Sequence, residues 1–104
     1  MIKCISFLQE GQIPEHVIEL LDRGIRDIVA ANDLGKDVEI NWIVVPHGQG
    51  WTAGAPSTSS VITLTTPPIE QSLRVEILHA LCDLWTENTG CRADEVLATV
   101  IPAA

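Results

Sequence analysis

Few side chains in this 104-residue chain have the type and spacing for chemistry. The densest group is the loop "PHGQGWTAG", Pro46 to Gly54, which holds three glycines, His47 and Trp51. Gly48-x-Gly50-x-x-x-Gly54 follows a β-branched run, as a phosphate cradle does. Such a cradle needs a helix N-terminus next, and here Pro56 and a second strand-like run follow, with no Lys in the loop. The glycines suit the positive-φ positions of a connection between strands. His47 and Trp51 are more than a plain connection requires, so two readings stand: a simple return of the chain, or one wall of a pocket.

Other candidates are weaker. His79-x-x-Cys82 puts two metal-ligand types one helical turn apart, with Cys91 beyond them. A structural zinc site wants tighter pairs and a fourth ligand, so no metal is expected, and His79 and Cys82 read as core groups beside an apolar stripe. His16, at a helix start, reads as solvated. The hydroxyls of "PSTSS" have no nucleophile elbow and no adjacent Lys, and read as a turn and strand entrance. Arg74 is the one cation near the front of the second helix. It suits either an i,i+4 ion pair with Glu70 or a carboxylate clamp, for which its planar fork is fitted.

The elements that must position these groups follow from periodicity. "IKCISFL" alternates as a strand and "QEGQ" turns the chain. Pro14 opens a helix in which Val17, Leu21, Ile25 and Ile28, with Ile18 and Val29, recur at helical spacing. Gly24 inside that helix costs about 1 kcal/mol and marks a close contact. The helix ends near Asn32, with Gly35 as a stop signal. "VEINWIVV" is a second strand and "SSVITLTT" a third. Thr66-Pro67-Pro68 opens a second helix striped by Leu73, Ile77, Leu81 and Leu84, with Leu78 and Trp85. Gly90 suits the left-handed residue that ends it, and "EVLATVI" is the fourth strand, stopped by Pro102.

The pattern is βαβ twice, with Gly35 and Gly90, and Glu15 and Glu70, at matching offsets. The expected fold is α+β: a duplicated β-α-β unit forming a four-stranded sheet with both helices on one face. Repeat 1 spans about 1–46, a connecting loop about 47–58 and repeat 2 about 59–104, in one domain. Right-handed crossovers make the strands within each repeat parallel. The sheet's other face is apolar and needs a cover, which predicts a homo-oligomer.

Composition excludes several function classes. The formal charge is −8 and the six Lys and Arg are scattered, so neither nucleic acid nor an anionic membrane is an expected partner. No apolar run approaches the roughly 20 residues a membrane helix needs. The N-terminus lacks the shape of a signal peptide. Three cysteines without a CxxC fit a reducing compartment, so a cytoplasmic location is expected.

The duplicated halves, "FLQEGQIPEHVIELL" and the ending "TGCRADEVLATVIP" together resemble the tautomerase superfamily. The likeness covers nearly the whole chain. Its pattern is similar to the fused two-repeat members, such as cis-3-chloroacrylic acid dehalogenase, more than to the short 4-oxalocrotonate tautomerase. The resemblance implies a homotrimer with a pocket beside the first strand's N-terminus, Trp51 as a pocket wall, a small-molecule substrate and no cofactor.

Departures from the family pattern change the implied chemistry. Where the family has an N-terminal proline, this sequence has Met1 followed by Ile2; Pro56 sits at the matching place in the second half, with a non-basic amide nitrogen. Gln12 replaces the arginine after Glu10-Gly11, Asn41 replaces one near the second strand's start, and the dehalogenase-type C-terminal extension is missing. Arg74 matches a substrate-carboxylate arginine. A Met1 α-amino group, with reference pKa about 7.7–8.0, can move protons or form an imine. With fewer cations beside it, both the lowering of that pKa and the stabilisation of an enolate are weaker. The implied function is a divergent isomerase or lyase on a small oxo or enol carboxylic acid. Met1, Arg74 and His47 are its catalytic candidates, and Gln12, Asn41 and Trp51 its substrate contacts. The alternative is a non-catalytic trimer that binds a small molecule or a protein.

Overall fold

The computed structural model describes residues 2–35 and 37–103. Six strands and two long helices run in the order β1 Ile2–Gln9, α1 Glu15–Ala31, β2 Val38–Val45, β3 Trp51–Thr52, β4 Ala55–Pro56, β5 Ser60–Thr66, α2 Gln71–Thr89 and β6 Val96–Pro102, with a single 3₁₀ turn at Ala93–Glu95. The main sheet has the order β2-β1-β5-β6. β1 pairs parallel with β2, β5 pairs parallel with β6, and the two units join through antiparallel β1 and β5. This is the duplicated β-α-β arrangement expected from the sequence, an α+β fold with two helices on a four-stranded mixed sheet.

Period-2 alternation decides which strand residues face the helices. Ile2, Cys4, Ser6 and Leu8 of β1 are buried, as are Ser60, Ile62, Leu64 and Thr66 of β5. Their neighbours Lys3, Ile5 and Phe7 are exposed. The inward set forms one core with Leu21, Ile25 and Val29 of α1 and Ile77, Leu81 and Trp85 of α2. In each helix the fully buried line runs i, i+4, i+8, and the other apolar residues flank it half-buried. Trp85 stacks on Trp42 of β2, with ring centroids 6.0 Å apart, and Trp42 donates its indole N–H to Asp22 of α1 at 3.1 Å.

Gly24 of α1 is the close contact its place in a helix suggests. A Cβ there would lie 2.3 Å from Leu84 Cδ1 of α2, so the absent side chain lets the two helices meet. Gly90 caps α2 in the left-handed region, at φ 76°. α1 ends where expected, near Asn32, and Asn32 rather than Gly35 is its cap, its side-chain amide donating to Ile28 O at 2.7 Å. The second helix begins at Gln71, after the Thr66-Pro67-Pro68 segment rather than on it, with Glu70 as its cap.

The opposite sheet face is apolar along one row. Register aligns Ile43, Phe7, Val61 and Leu97 across all four strands. Phe7, Ile43 and Leu97 are 36%, 41% and 59% exposed, which is far from the burial such side chains take in a covered sheet. No helix in the described residues is long and apolar enough to cross a membrane.

Candidate functional site

The chemistry-bearing residues separate to the two ends of β1. Eight strand residues at about 3.3 Å each put those ends roughly 23 Å apart. At the C-terminal end the chain turns through Glu10-Gly11-Gln12, with Gly11 at φ +76°. Segment 46–58 folds back onto this turn. It is a small hairpin, in which β3 pairs with β4 through Ala53 and Gly54, both at positive φ, the conformation that matches hairpin twist.

Several hydrogen bonds fix the loop to the strand ends. Glu10 N donates to Val45 O at 2.9 Å, Gln49 N to Pro46 O at 3.1 Å and Ser57 N to Gly50 O at 2.7 Å. The Gln9 side-chain amide donates to Ser59 O at 3.2 Å. Gly50 leaves room for the Gln9 amide here, since a Cβ would lie 2.9 Å from it and displace it. These contacts enclose a cavity of about 220 Å³ lined by Gln9, Glu10, Gly11, Gln12, His47, Gly48, Pro56, Ser57 and Thr58. Among the described residues, neither Arg nor Lys lines it.

His47 and Glu10 form a pair on its rim. Glu10 Oε1 lies 3.4 Å from His47 Nε2 and accepts the His47 backbone N–H at 3.3 Å. On the cavity's inner side the Gln12 amide donates to Thr58 O and approaches Cys91 Sγ at 3.9 Å. Its Oε1 is buried without a partner among the described residues, a state that costs about 1–3 kcal/mol. Ser57 Oγ accepts from Ser59 N at 3.0 Å and lies 2.6 Å from Thr52 Oγ1. The Thr58 hydroxyl donates to the Glu95 carboxyl and, with the Arg92 backbone N–H and guanidinium, holds that carboxyl below its ordinary value.

The other end gathers the start of β1, the end of β5 and the front of α2. Lys3 is in register with Thr65, and Ala103 N donates to Thr66 O at 2.8 Å. Pro68, Ile69, Glu70, Ser72 and Leu73 line an open hollow there. Arg74 stands behind it, but the guanidinium is engaged by its own chain. Nε donates to Val100 O at 3.0 Å, Nη1 to Gln71 Oε1 at 2.6 Å and Nη2 to Ile69 O at 3.4 Å. The expected ion pair with Glu70 is absent among the described residues; what links the two is the Arg74 backbone N–H to Glu70 O. Arg74 thus ties the front of α2 to the end of β6, and three of its five N–H groups are spent.

The sequence-derived candidates therefore do not converge within one chain. Gln12 and His47 share the loop-end cavity. Arg74 is at the opposite end, and Met1 lies outside the described residues. Asn41 is exposed in the middle of the edge strand β2, opposite Ile5 and away from both. Trp51 is 62% exposed and donates its indole N–H to Gly48 O at 2.6 Å, so it stiffens the loop and does not line the cavity. His79 is exposed rather than core: two residues beyond Ile77 on a helix is about 200° of rotation, the opposite face. Among the described residues, no group of three metal-ligand side chains exists.

Glu10, Ser57 and Thr58 are cavity residues that the sequence did not single out. Glu10 read as a turn residue and "PSTSS" as a strand entrance. The signal that unites them is the antiparallel β1–β5 pairing, which brings the end of one strand to the beginning of the other.

No protein-family model matches the sequence, and no curated protein matches it. Solved structures do match. The chain is similar to native Ps01740, with TM-score 0.87 and 23% identity over 98% of this chain and 92% of that one. It is similar to Pt0534 inactivated by 2-oxo-3-pentynoate, with TM-score 0.85 and 20% identity over 97% and 85%. It is also similar to a fused 4-OT that forms a symmetric trimer, with TM-score 0.85 and 12% identity over 97% and 85%. Across both β-α-β units, this chain has the fold of the tautomerase superfamily.

Proposed function

We propose that this chain is a divergent tautomerase-like protein that assembles as a homotrimer and acts on a small oxo or enol carboxylic acid. The observation that supports this reading is that the start of β1, in register with the end of β5, lies at the same end of the sheet as Arg74 and an open hollow, within a fold shared with a trimeric 4-OT and with a protein inactivated by a 2-oxo acid. A Met1 α-amine takes the place of the family's proline, and the two unspent N–H groups of Arg74 hold the carboxylate. The apolar row Ile43-Phe7-Val61-Leu97 is the face that other copies cover, and Gln12, Asn41, His47 and Trp51 come to a shared site only across subunits.

The test uses the untagged chain in ketonisation of phenylenolpyruvate and 2-hydroxymuconate, beside a form with one extra N-terminal residue and Arg74→Ala. Loss of turnover in both altered forms is expected. Incubation with 2-oxo-3-pentynoate should add one label to the Met1 peptide by mass spectrometry. Turnover indifferent to both changes refutes the reading.

The binding-only alternative has one observation in its favour. Arg74 is held by Val100 O, Ile69 O and Gln71, a structural tie that a catalytic clamp does not need. An absence of turnover together with a rise in melting temperature on adding an oxo acid would establish it.

A further inference from the structure

We infer, resting on the function proposed above, that Glu70 is a specificity-determining residue, which restricts the hollow at the front of α2 to monocarboxylic acids with an uncharged, apolar tail. Three features of this end of the fold point there.

The first is the state of Arg74. All three acceptors of its guanidinium are neutral: the carbonyls of Val100 and Ile69 and the amide oxygen of Gln71. Among the described residues it has no acidic partner. Neutral acceptors fix the fork in place and leave its charge uncompensated, so an arriving carboxylate meets the whole of it. The unspent N–H groups are one on Nη1 and one on Nη2. Two such donors hold one carboxylate, and a second acid group on the same ligand finds none.

The second is the state of Glu70. The i,i+4 spacing would pair it with Arg74, yet the guanidinium is tied to β6 through Val100 O and the two charges stay apart. Glu70 caps α2 through its backbone carbonyl, which accepts the Arg74 N–H at 3.0 Å. Its side chain makes no capping hydrogen bond and, among the described residues, no ion pair. Glu70 lines the hollow, so its free carboxylate repels a second one on the ligand. Discrimination then comes from a built-in repulsion and not from an added contact.

The third is the rest of the lining. Pro68, Ile69 and Leu73 are apolar and Ser72 is neutral, and among the described residues no Lys or Arg joins them. Lys3 pairs in register with Glu39 and Thr65 and is exposed on the sheet face turned away from α2, so it does not offset Glu70. A ring or alkyl tail packs on half-buried Ile69 and Leu73, where a charged tail has no partner.

The experiment compares two acids on the full untagged chain: phenylenolpyruvate, with one carboxylate and an apolar ring, and 2-hydroxymuconate, with two carboxylates. In the wild type kcat/KM should favour phenylenolpyruvate. Glu70→Gln should raise kcat/KM for 2-hydroxymuconate roughly five- to tenfold, mostly through KM, the scale of one like-charge repulsion at a solvated site. A damaged fold does not produce such a gain, and Glu70→Asp, which keeps the charge, should not show it. At about 0.5 M salt the wild type should lose most of its discrimination, since exposed charges are screened. Calorimetric dissociation constants of phenylpyruvate and 2-oxoadipate should give the same ranking without turnover.

Arg74→Ala separates the two proposals. Loss of turnover on both acids in that variant, with the kcat/KM ratio equal in wild type and Glu70→Gln, overturns this inference and leaves the function proposed above standing. So does a wild type that prefers the dicarboxylate. Turnover that survives both Arg74→Ala and N-terminal extension, or an absence of turnover and of binding for every acid, overturns both.

Discussion

Gly24→Ala offers the sharpest test of how the two helices meet. A Cβ at this position lies 2.3 Å from Leu84 Cδ1, 2.8 Å from Cδ2 and 3.1 Å from Cγ. Carbon atoms pack best at about 3.5–4.0 Å, so Leu84 must move by more than about 1 Å or the helices must part. Overpacking of this size costs about 1–3 kcal/mol. Opposing it, alanine in a helix interior is better than glycine by about 1 kcal/mol. The expected net effect runs from neutral to about 2 kcal/mol destabilising. In a Leu84→Ala background the clash is gone, and the same substitution should stabilise by about 1 kcal/mol. The double-mutant cycle therefore reads a coupling of about 1–3 kcal/mol. Urea denaturation at one fixed protein concentration is the assay, since assembly makes stability depend on concentration. If Gly24→Ala stabilises equally in both backgrounds, the close approach of α1 and α2 at Leu84 is wrong.

Three further expectations concern assembly, acid stability and thiol reactivity. Phe7→Glu puts a charge in the middle of the apolar row, and burying it unpaired costs about 3 kcal/mol, so the dissociation constant of the assembly should rise roughly 100-fold; unchanged sedimentation in dilution series means that this face is not the interface. The Glu95 carboxyl is held below its ordinary value of 4.5, first by the Thr58 hydroxyl and then by Arg92. Its folded value is the depressed one, so its contribution is present above pH 4.5 and is lost as pH falls through the folded value; Glu95→Gln should flatten the acid limb of a melting-temperature profile, and an unchanged limb refutes the interaction. Cys4 is fully buried and burial pushes its thiol up. Iodoacetamide at neutral pH should modify Cys4 only in denaturant, and native labelling of Cys4 by peptide mapping contradicts the burial.

Much of the architecture was legible in the residues. Alternation in "IKCISFL" and "SSVITLTT", helical recurrence around Leu21 and Leu81, and the punctuation at Pro14 and Gly90 are local rules, enforced by backbone geometry that each segment carries wherever it sits. The repeated offsets extended those rules to the whole chain and gave the duplicated sheet. Gly24 could be read as a close contact for the same reason, because nothing local rewards glycine inside a helix.

What no local rule contains is which distant segments meet. His47 is 37 positions from Glu10; the parallel register of β1 with β2 brings it to the Glu10–Gln12 turn, and the antiparallel register of β1 with β5 brings Ser57 and Thr58 there. Those two registers made a cavity of Glu10, Gln12, His47 and Ser57, while the packing of α2 on β6 turned Arg74 into a tie between them. Periodicity also gave the width of each helix's apolar stripe but not its centre, so His79 fell outside the core once Ile77, Leu81 and Trp85 claimed the buried line. Secondary structure and symmetry lie in short-range sterics and patterning; the site lies in contacts that form only when the sheet closes its order β2-β1-β5-β6.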